Sequence, residues 1–426
     1  MLSRAPMETA DFIVIGAGIA GASAAYELSR DSRVIVLERE SQPGYHTTGR
    51  SAALYTEVYG NRVIRAITSG SRSFFENPPE GFTEHPLLTP RGTLLIGRED
   101  QEASLAMALE EGRRTVDAVS LIGANELAIK VPFLKPGYAK AAVWEPDARD
   151  MDVHAIHHGF LKGLRARGGK VITDAEVLGL SPDGDWTVET RAGTFRAPVV
   201  INAAGAWADV VARMAGSKPV GLVPKRRTAF TFDVPKGTPV EKVPAVIDVD
   251  ETWYIKPESG RLLGSPADET PSEPCDAQPE ELDLAIAVDR IEQALSFGVG
   301  RFHSKWAGLR SFVADKTMVA GFARKTPGFF WLAGQGGYGI QTCRAWRIAA
   351  DLARGPPLPL RPRRSRHRRG GSVAGEVELG DVSRGCGGQR RGSDYACCGS
   401  FWNSVVAKES TKVCATGRTW LASIFG

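Results

Sequence analysis

The chain has 426 residues, of which 42% are hydrophobic and 24% are charged, a composition typical of a globular protein large enough to form two domains. Residues 361–369 contain six arginines, without which the net charge would be −2 rather than +4, and this argues against a nucleic-acid-binding surface on the folded part. There is no run of 18 apolar residues and no apolar signal region near Met1, so we expect a cytoplasmic protein with no transmembrane segment; peripheral membrane association stays open.

The first predicted elements form one unit. The apolar run Phe12–Ile15 predicts a buried strand, a helical pattern follows over about residues 20–30, and Val34–Leu37 predicts a second strand. Gly16-x-Gly18-x-x-Gly21 stands between the first strand and the helix, and Glu38 follows the second strand, 22 residues after Gly16. These glycines allow a tight turn, close approach of a pyrophosphate and close helix packing, while the carboxylate can accept hydrogen bonds from ribose hydroxyls. The unit predicts a dinucleotide-binding site at the N-terminus of the helix.

Helices and strands then alternate along the chain. Apolar spacing predicts helices over residues 64–75, 99–123, 153–167 and 345–353. Strands are predicted over residues 92–96, 141–144, 170–173, 175–180, 199–202 and 329–332, with a hairpin over 186–189 and 193–197. The strand Val199–Asn202 runs into small residues that include Gly205, which suits a backbone that passes close to a cofactor. Residues 221–294 predict a mostly antiparallel substrate domain.

The pattern ends at about Pro356. Arginine, glycine, cysteine and serine dominate residues 356–426, which we interpret as a disordered or non-native tail; a basic arm for anionic lipid or nucleic acid is the alternative. Four of the six cysteines lie in this tail, and none of the six has the paired spacing of a metal site. We expect neither a bound metal nor a disulfide framework.

Four segments occur in the order found in a known superfamily. TTGRSAA (47–53), VVINAAGAWAD (199–209), WAGLRSF (306–312) and WLAGQGGYGIQT (331–342) resemble the FAD-dependent oxidoreductases of the D-amino-acid-oxidase superfamily. GLVPKRRTAF and WYIKP make the chain most similar to the bacterial D-arginine dehydrogenases. The resemblance covers roughly residues 10–355. It implies an α/β fold, with a Rossmann-like FAD-binding domain and a mixed-sheet substrate domain.

The resemblance also implies a reaction. It implies non-covalent FAD and oxidation of a D-amino acid by hydride transfer from Cα, giving an imino acid that hydrolyses to a keto acid and ammonia. The expected partners are the amino-acid substrate and an electron acceptor, either a quinone or oxygen. The domain division expected is residues 10–90, 150–220 and 300–355 for FAD, and residues 91–149 and 221–299 for the substrate.

Cofactor contacts follow residue by residue from the resemblance. The residues expected at the ADP part are Gly16, Gly18, Gly21, Glu38 and Arg39, with the Val177 backbone beside the adenine. Those expected along the pyrophosphate and the flavin are Thr48, Ser51, Ala52, Ala53, Gly205, Gly337, Tyr338, Gly339 and Ile340. The carbonyl of Gly337 is also expected to accept a hydrogen bond from the substrate amine, with Gln341 nearby.

Four side chains are the candidate catalytic residues. Arg227 and Arg310 match the arginines that bind the substrate carboxylate, for which a planar guanidinium is suited. Tyr59 and Tyr254 match the tyrosines that close over the substrate, although either could be an ordinary core aromatic. Arg226 precedes Arg227 on a predicted strand, so the two side chains point to opposite faces and only one can face the flavin; the resemblance favours Arg227.

Thr93 departs from the pattern of the D-arginine dehydrogenases, which have a glutamate there for the substrate guanidinium. Leu54 replaces a histidine, and Ala245 and Ile247 complete a small apolar side-chain pocket. A buried guanidinium without a carboxylate partner is unfavourable, so we expect neutral D-amino acids to be better substrates than arginine or lysine. Alternatives left open are oxidation of glycine, an N-methyl amino acid or a 2-hydroxy acid, and a non-catalytic dinucleotide-binding protein.

Overall fold

The structure is a computed structural model that describes residues 7–355. The predicted tail, residues 356–426, lies outside the described residues, as does the chain's second unit, Pro359–Gly426. The strands are β1 (Glu8–Thr9), β2 (Phe12–Ile15), β3 (Val34–Leu37), β4 (Leu54–Tyr55), β5 (Leu88–Pro90), β6 (Thr93–Gly97), β7 (Ser120–Gly123), β8 (Ala141–Glu145), β9 (Arg149–Met151), β10 (Lys170–Ile172), β11 (Val177–Asp183), β12 (Asp185–Thr190), β13 (Gly193–Ala197), β14 (Val199–Asn202), β15 (Val223–Phe232), β16 (Ala245–Asp248), β17 (Tyr254–Glu258), β18 (Arg261–Ser265), β19 (Thr270–Pro271), β20 (Phe302–Phe312), β21 (Val319–Phe322) and β22 (Phe329–Ala333). The helices are α1 (Ile19–Leu28), α2 (Arg62–Glu76), α3 (Glu102–Arg113), α4 (Ala124–Lys130), α5 (Val153–Ala166), α6 (Ala208–Met214), α7 (Glu281–Ala294) and α8 (Trp346–Arg354), with short 3₁₀ turns at Glu99–Gln101, Gly205–Trp207 and Cys343–Ala345.

A six-stranded sheet carries the predicted dinucleotide unit. Its order is β10-β3-β2-β14-β22-β21, parallel except for β21. Val14 and Val36 pack on the side of the sheet that α1, α5 and α8 cover, and Ile13 and Ile35 pack on the other side. Burial on both faces explains the unbroken apolar runs. The predicted strand–turn–helix–strand unit is therefore confirmed.

The other large sheet of the described part has nine strands. Its order is β19-β15-β18-β17-β16-β6-β8-β7, with β20 paired to β15, and it is antiparallel except between β16 and β6. The domain boundaries drawn from the sequence assign residues 300–355 to the FAD-binding part, yet β20 pairs along its whole length with β15 in this sheet. Smaller sheets, β1-β13-β12-β11 and β4-β9-β5, complete the described strands.

Two predicted elements were wrong. Leu121–Gly123 was assigned to the end of a helix, but α3 ends at Arg113 and this apolar triplet belongs to strand β7, paired with β8. Residues 221–294 were assigned to strands and turns, but Glu281–Ala294 is helix α7, which buries Leu284, Ala287 and Ile291 against the nine-stranded sheet. Burial of that helical stripe outweighed the Pro-rich context that suggested turns.

Candidate active site

Two of the three glycines in the turn have no room for a side chain. Gly16 has φ +101°, and a Cβ there would lie 2.5 Å from the Ala203 carbonyl oxygen. A Cβ on Gly21 would lie 1.9 Å from the Gly16 carbonyl oxygen, so α1 packs against the turn more closely than any side chain allows. Gly18 is the N-cap of α1, and its missing side chain keeps the space in front of the helix N-terminus open. The turn leaves backbone N–H groups of α1 free to meet an anion.

Glu38 lies beside this turn and is bound to it. One carboxylate oxygen accepts a hydrogen bond from Ala17 N at 2.8 Å, and the other accepts one from Glu40 N at 3.0 Å. Burial raises the pKa of the Glu38 carboxyl above its ordinary value. The carboxylate is thus fixed at the edge of the sheet, in the place where a ribose hydroxyl of a dinucleotide would meet it.

His157 contacts the same residue, Ala17, through its carbonyl group. His157 Nε2 lies 2.8 Å from the Ala17 carbonyl oxygen, which can only accept, so Nε2 donates; burial lowers the pKa of the His157 ring. Sequence reasoning missed this residue because it lies 140 positions away, on α5. Buried side chains therefore fix the peptide groups on both sides of the Ala17 Cα, one through its N–H and the other through its carbonyl.

We expect His157→Leu to weaken the binding of the dinucleotide cofactor by roughly tenfold, because it leaves the buried Ala17 carbonyl without a donor, at a cost of about 1–3 kcal/mol. The measurement is the Kd of the cofactor for the apoprotein, by fluorescence titration. His158→Leu, an exposed position on the same helix, is the control and should change this Kd by less than about twofold. Equal Kd values for the two variants would contradict the role given to His157.

Two adjoining cavities, of ≈ 180 and ≈ 120 Å³, extend from the turn. The first is lined by the predicted cofactor residues Gly16, Gly18, Glu38, Arg39, Thr48, Val177 and Gly205. The second is lined by the predicted cofactor residues Gly18, Thr48, Ser51, Ala52, Gly205, Gly337, Gly339 and Ile340. Shared lining residues, Gly18, Thr48 and Gly205 among them, join the two cavities into one cleft. At the junction Thr48 Oγ1 accepts a hydrogen bond from Ile19 N at 3.0 Å.

Three predicted cofactor residues line neither cavity. Gly21 lies beneath the turn, where its contact with Gly16 sets the packing of α1. Ala53 packs on the apolar core of the six-stranded sheet. Tyr338 is buried, and its hydroxyl donates to the Lys316 carbonyl while its ring contacts those of Tyr59 and Phe312.

The candidate catalytic residues come together at the second cavity. Arg227, Tyr254 and Arg310 line it, and the Tyr59 hydroxyl accepts a hydrogen bond from Arg310 Nη1 at 3.4 Å. A Cβ on Gly337 would lie 2.8 Å from Arg310 Nη1 and 2.9 Å from the Tyr59 hydroxyl, so this glycine adjoins both groups.

Strand register explains the placement of the arginines. Arg227 faces Gly308 across β15 and β20, and Lys225 faces Arg310, so the two arginines lie on the same face of the sheet. Arg226 points the other way and forms ion pairs with Asp283 and Glu280. Arg227 Nε donates to the Asp268 carbonyl at 2.8 Å, and its Nη2 lies 3.6 Å from Glu269. Burial, and the charge of Arg310, lower the pKa of Arg227. Two cationic groups therefore face one cavity.

Unpaired polar atoms mark the same cavity as a ligand site. Within residues 7–355, the buried side-chain atoms without a hydrogen-bond partner are Arg196 Nε, Arg227 Nη2, Ser311 Oγ and Gln335 Nε2. All but the first belong to residues that line the second cavity. Because buried polar groups are almost always paired, these atoms indicate a polar ligand. Sequence reasoning did not select Ser311 and Gln335, although both lie inside the quoted motifs beside Arg310 and Gly336.

Most of the residues predicted for the substrate side-chain pocket lie outside the two cavities. Gly337 lines the second cavity, but Leu54, Thr93, Ala245, Ile247 and Gln341 line neither cavity. The Gln341 amide donates to Thr68 Oγ1 at 3.0 Å, and its oxygen lies 3.5 Å from Thr56 N. Ile247 is the cross-strand partner of Tyr254, and Ala245 that of Thr93, so these positions lie on the sheet beside the cavity. Their contact with a substrate stays a prediction.

A carboxylate does lie next to Thr93, contrary to the expectation from the sequence. Thr93 Oγ1 donates to Glu145 Oε2 at 3.2 Å, and the two residues are cross-strand partners in β6 and β8. The sequence gave no signal for this contact because the partners lie 52 positions apart.

No described residues are arranged as a metal site or a membrane span. Within residues 7–355, no group of three or more His, Cys, Asp and Glu side chains is placed to hold a metal ion. In the same part of the chain, none of the helices combines the length and the apolar character needed to cross a bilayer.

Comparison with known proteins gives a consistent picture. The family described as "FAD dependent oxidoreductase" matches residues 11–352. The mitochondrial dimethylglycine dehydrogenase of Mus musculus is 24% identical over 270 residues, covering 61% of this chain and 30% of that protein. The L-2-hydroxyglutarate dehydrogenase of Escherichia coli O17:K52:H18 is 28% identical over 230 residues, covering 49% of this chain and 50% of that protein.

A solved structure supports the same fold. Glycine oxidase from Geobacillus kaustophilus superposes with a TM-score of 0.71 at 21% identity, covering 82% of this chain and 95% of that one. The chain thus matches nearly all of that oxidase, but only about a third of the length of the dimethylglycine dehydrogenase.

Proposed function

Because the chain belongs to the family of FAD dependent oxidoreductases, whose match spans residues 11–352, we propose that it oxidises the Cα–N bond of a neutral D-amino acid. The observation that carries this proposal is the pair Arg227 and Arg310, which face one cavity continuous with the dinucleotide cleft. Arg227 Nη2 is buried there without a hydrogen-bond partner in the described part of the chain. A carboxylate is the ligand that best fits two adjacent guanidinium groups.

The residues of the cavity have separate tasks in this proposal. Arg227 and Arg310 hold the substrate carboxylate and so fix the orientation of Cα. Tyr254 forms part of the wall, and Tyr59 lies behind it against Arg310; both are proposed to exclude water and offer hydroxyl groups. Gly337, which has no side chain, lets the substrate amine approach its carbonyl oxygen. FAD, when bound, supplies the acceptor for the hydride that leaves Cα, while the nitrogen loses a proton and the released imino acid hydrolyses to a keto acid and ammonia.

A neutral substrate side chain fits the surroundings of Thr93. The nearby Glu145 carboxylate is buried, and both of its oxygens already accept hydrogen bonds from the protein. A substrate guanidinium or ammonium group would need an available carboxylate to offset its loss of hydration. We therefore propose that D-methionine, D-leucine or D-phenylalanine is oxidised in preference to D-arginine or D-lysine.

The second candidate is oxidation of glycine, an N-methyl amino acid or a 2-hydroxy acid. The relatives named for dimethylglycine and for L-2-hydroxyglutarate favour it, at 24% and 28% identity. Two arginines that bind a carboxylate do not discriminate between an amino and a hydroxyl substituent on Cα. The two candidates therefore require a direct substrate comparison.

We expect anaerobic mixing of the purified yellow protein with neutral D-amino acids to bleach the visible flavin band, and D-arginine to do so at least about tenfold less efficiently in kcat/KM. The L-enantiomers are the matched controls and should leave the band unchanged. Bleaching by sarcosine, dimethylglycine or 2-hydroxyglutarate alone would favour the second candidate. A clear preference for D-arginine would contradict the side-chain argument based on Thr93.

A further inference from the structure

A buried carboxylate outside the two cavities connects separate parts of the site. Glu145 is the last residue of β8 and is 2% exposed. Its Oε2 accepts hydrogen bonds from Thr56 Oγ1 at 2.6 Å and from Thr93 Oγ1 at 3.2 Å, and its Oε1 accepts one from Glu57 N at 3.1 Å. None of these three donors carries a charge. Burial raises the pKa of this carboxyl to about 7.

The three donors come from two different structural units. Thr93 belongs to β6, so it is part of the nine-stranded sheet that also carries Arg227 and Tyr254. Thr56 and Glu57 follow the short strand β4, which belongs to another sheet. Glu145 therefore ties the segment after β4 to the nine-stranded sheet.

That segment leads directly to Tyr59. The Tyr59 hydroxyl is 3.4 Å from Arg310 Nη1, and its ring contacts the Tyr338 ring at 6.0 Å between centroids. Only two residues separate Tyr59 from Thr56, too few for the tyrosine to keep its place if the backbone at 56 and 57 moved. Val58 packs against the same sheet, near Val143. Apolar contact is non-directional, so it fixes the position of this backbone less strictly than the two adjacent hydrogen bonds to Glu145 do.

We propose that Glu145 is a positioning residue, which sets the place of Tyr59 beside Arg310 and thereby the affinity of the second cavity for a carboxylate ligand. The inference rests on the proposed binding of a substrate carboxylate at Arg310. It goes beyond that proposal because Glu145 lines neither cavity and acts only through Thr56 and Glu57.

The test is a titration of the FAD-loaded protein with benzoate, a carboxylate that has no oxidisable Cα, followed by the change in the visible flavin spectrum. We expect Glu145→Leu to raise the benzoate Kd about tenfold, since it leaves three donors without their acceptor. Glu145→Gln should stay within about twofold of wild type, because an amide can accept from Glu57 N and donate to both threonine hydroxyls. If Glu145→Leu does not fold, Thr56→Val should show the same direction at about threefold.

Thr231→Val is the matched control. It removes a buried hydroxyl that bonds Ser304 Oγ at 2.6 Å in the same sheet, and it should leave the benzoate Kd unchanged. In a Tyr59→Ala background, Glu145→Leu should add less than about twofold, because its effect is transmitted through Tyr59.

Three results would overturn the proposal: a full tenfold effect in the Tyr59→Ala background, an equal loss in Glu145→Gln and Glu145→Leu, or no benzoate binding by the wild type. Benzoate binding needs no turnover, so a failure of every amino acid to bleach the flavin would defeat the proposed function and leave this test intact.

Discussion

Replacement of Arg227 or Arg310 by methionine is expected to lower kcat/KM for the amino-acid substrate by about 10²- to 10³-fold, while the protein keeps its yellow cofactor. Each substitution removes one of the two guanidinium groups that line the second cavity and would leave the proposed substrate carboxylate with one arginine instead of two. Loss of one member of a buried, hydrogen-bonded charge pair costs roughly 3–4 kcal/mol, which corresponds to this range. The measurement is the rate of anaerobic flavin reduction against substrate concentration.

Arg226 provides a control that the chain itself offers. It precedes Arg227 but points to the opposite face, where it pairs with Asp283 and Glu280. We expect Arg226→Met to reduce the free energy of unfolding, because it leaves carboxylates unpaired, and to change kcat/KM by less than about threefold. Comparable losses of kcat/KM in Arg226→Met and Arg227→Met would show that activity depends on the integrity of the strand and not on the guanidinium that faces the cavity.

The alternation of side chains along β15 is also why this part of the site could be predicted. Two adjacent arginines on a strand point to opposite faces, so only one of them can face the cavity, and the family resemblance favoured Arg227. The glycine turn was predictable for a similar reason, since Gly16, Gly18 and Gly21 act on backbone within the same strand–turn–helix unit. The family relationship that these motifs predicted is confirmed by the match over residues 11–352.

The residues that sequence reasoning missed act over long separations. Glu145 bonds Thr56 across 89 positions, and His157 bonds the Ala17 carbonyl across 140. Neither residue belongs to a motif, and each side chain type occurs elsewhere in the chain without such a role. Ser311 and Gln335 lie in recognised motifs, but only their burial without a hydrogen-bond partner singles them out.

The misassigned elements have a different cause. Leu121–Gly123 is a short apolar run, for which periodicity cannot separate a strand from the end of a helix. Helix α7 carries Leu284, Ala287 and Ile291 at helical spacing, but the Pro-rich segment before it favoured a turn assignment. In both cases the secondary structure was decided by a contact distant in sequence. The triplet pairs with β8, and the helix packs on the nine-stranded sheet.

The second large effect is expected for Gly21→Ala, which should abolish stable FAD binding, with the Kd raised at least about 100-fold. The new Cβ would lie 1.9 Å from the Gly16 carbonyl oxygen and 3.2 Å from a methyl group of Val14. Relief requires α1 to move away from the turn, at a cost of about 3 kcal/mol or more, because the obstacle is backbone. The measurements are the FAD Kd of the apoprotein and its far-UV circular dichroism.

Gly123→Ala is the matched control for that change. Gly123 has φ −85° and nothing within 4 Å of an added Cβ, so its substitution should leave the FAD Kd unchanged. Folded Gly21→Ala protein that still binds FAD with wild-type affinity would contradict the view that this turn is adapted to the cofactor by close packing. The two large predictions are also separable from each other. Substitution of Gly21 should weaken binding of the cofactor, whereas substitution of Arg227 or Arg310, where a substrate carboxylate is proposed to bind, should leave the cofactor in place.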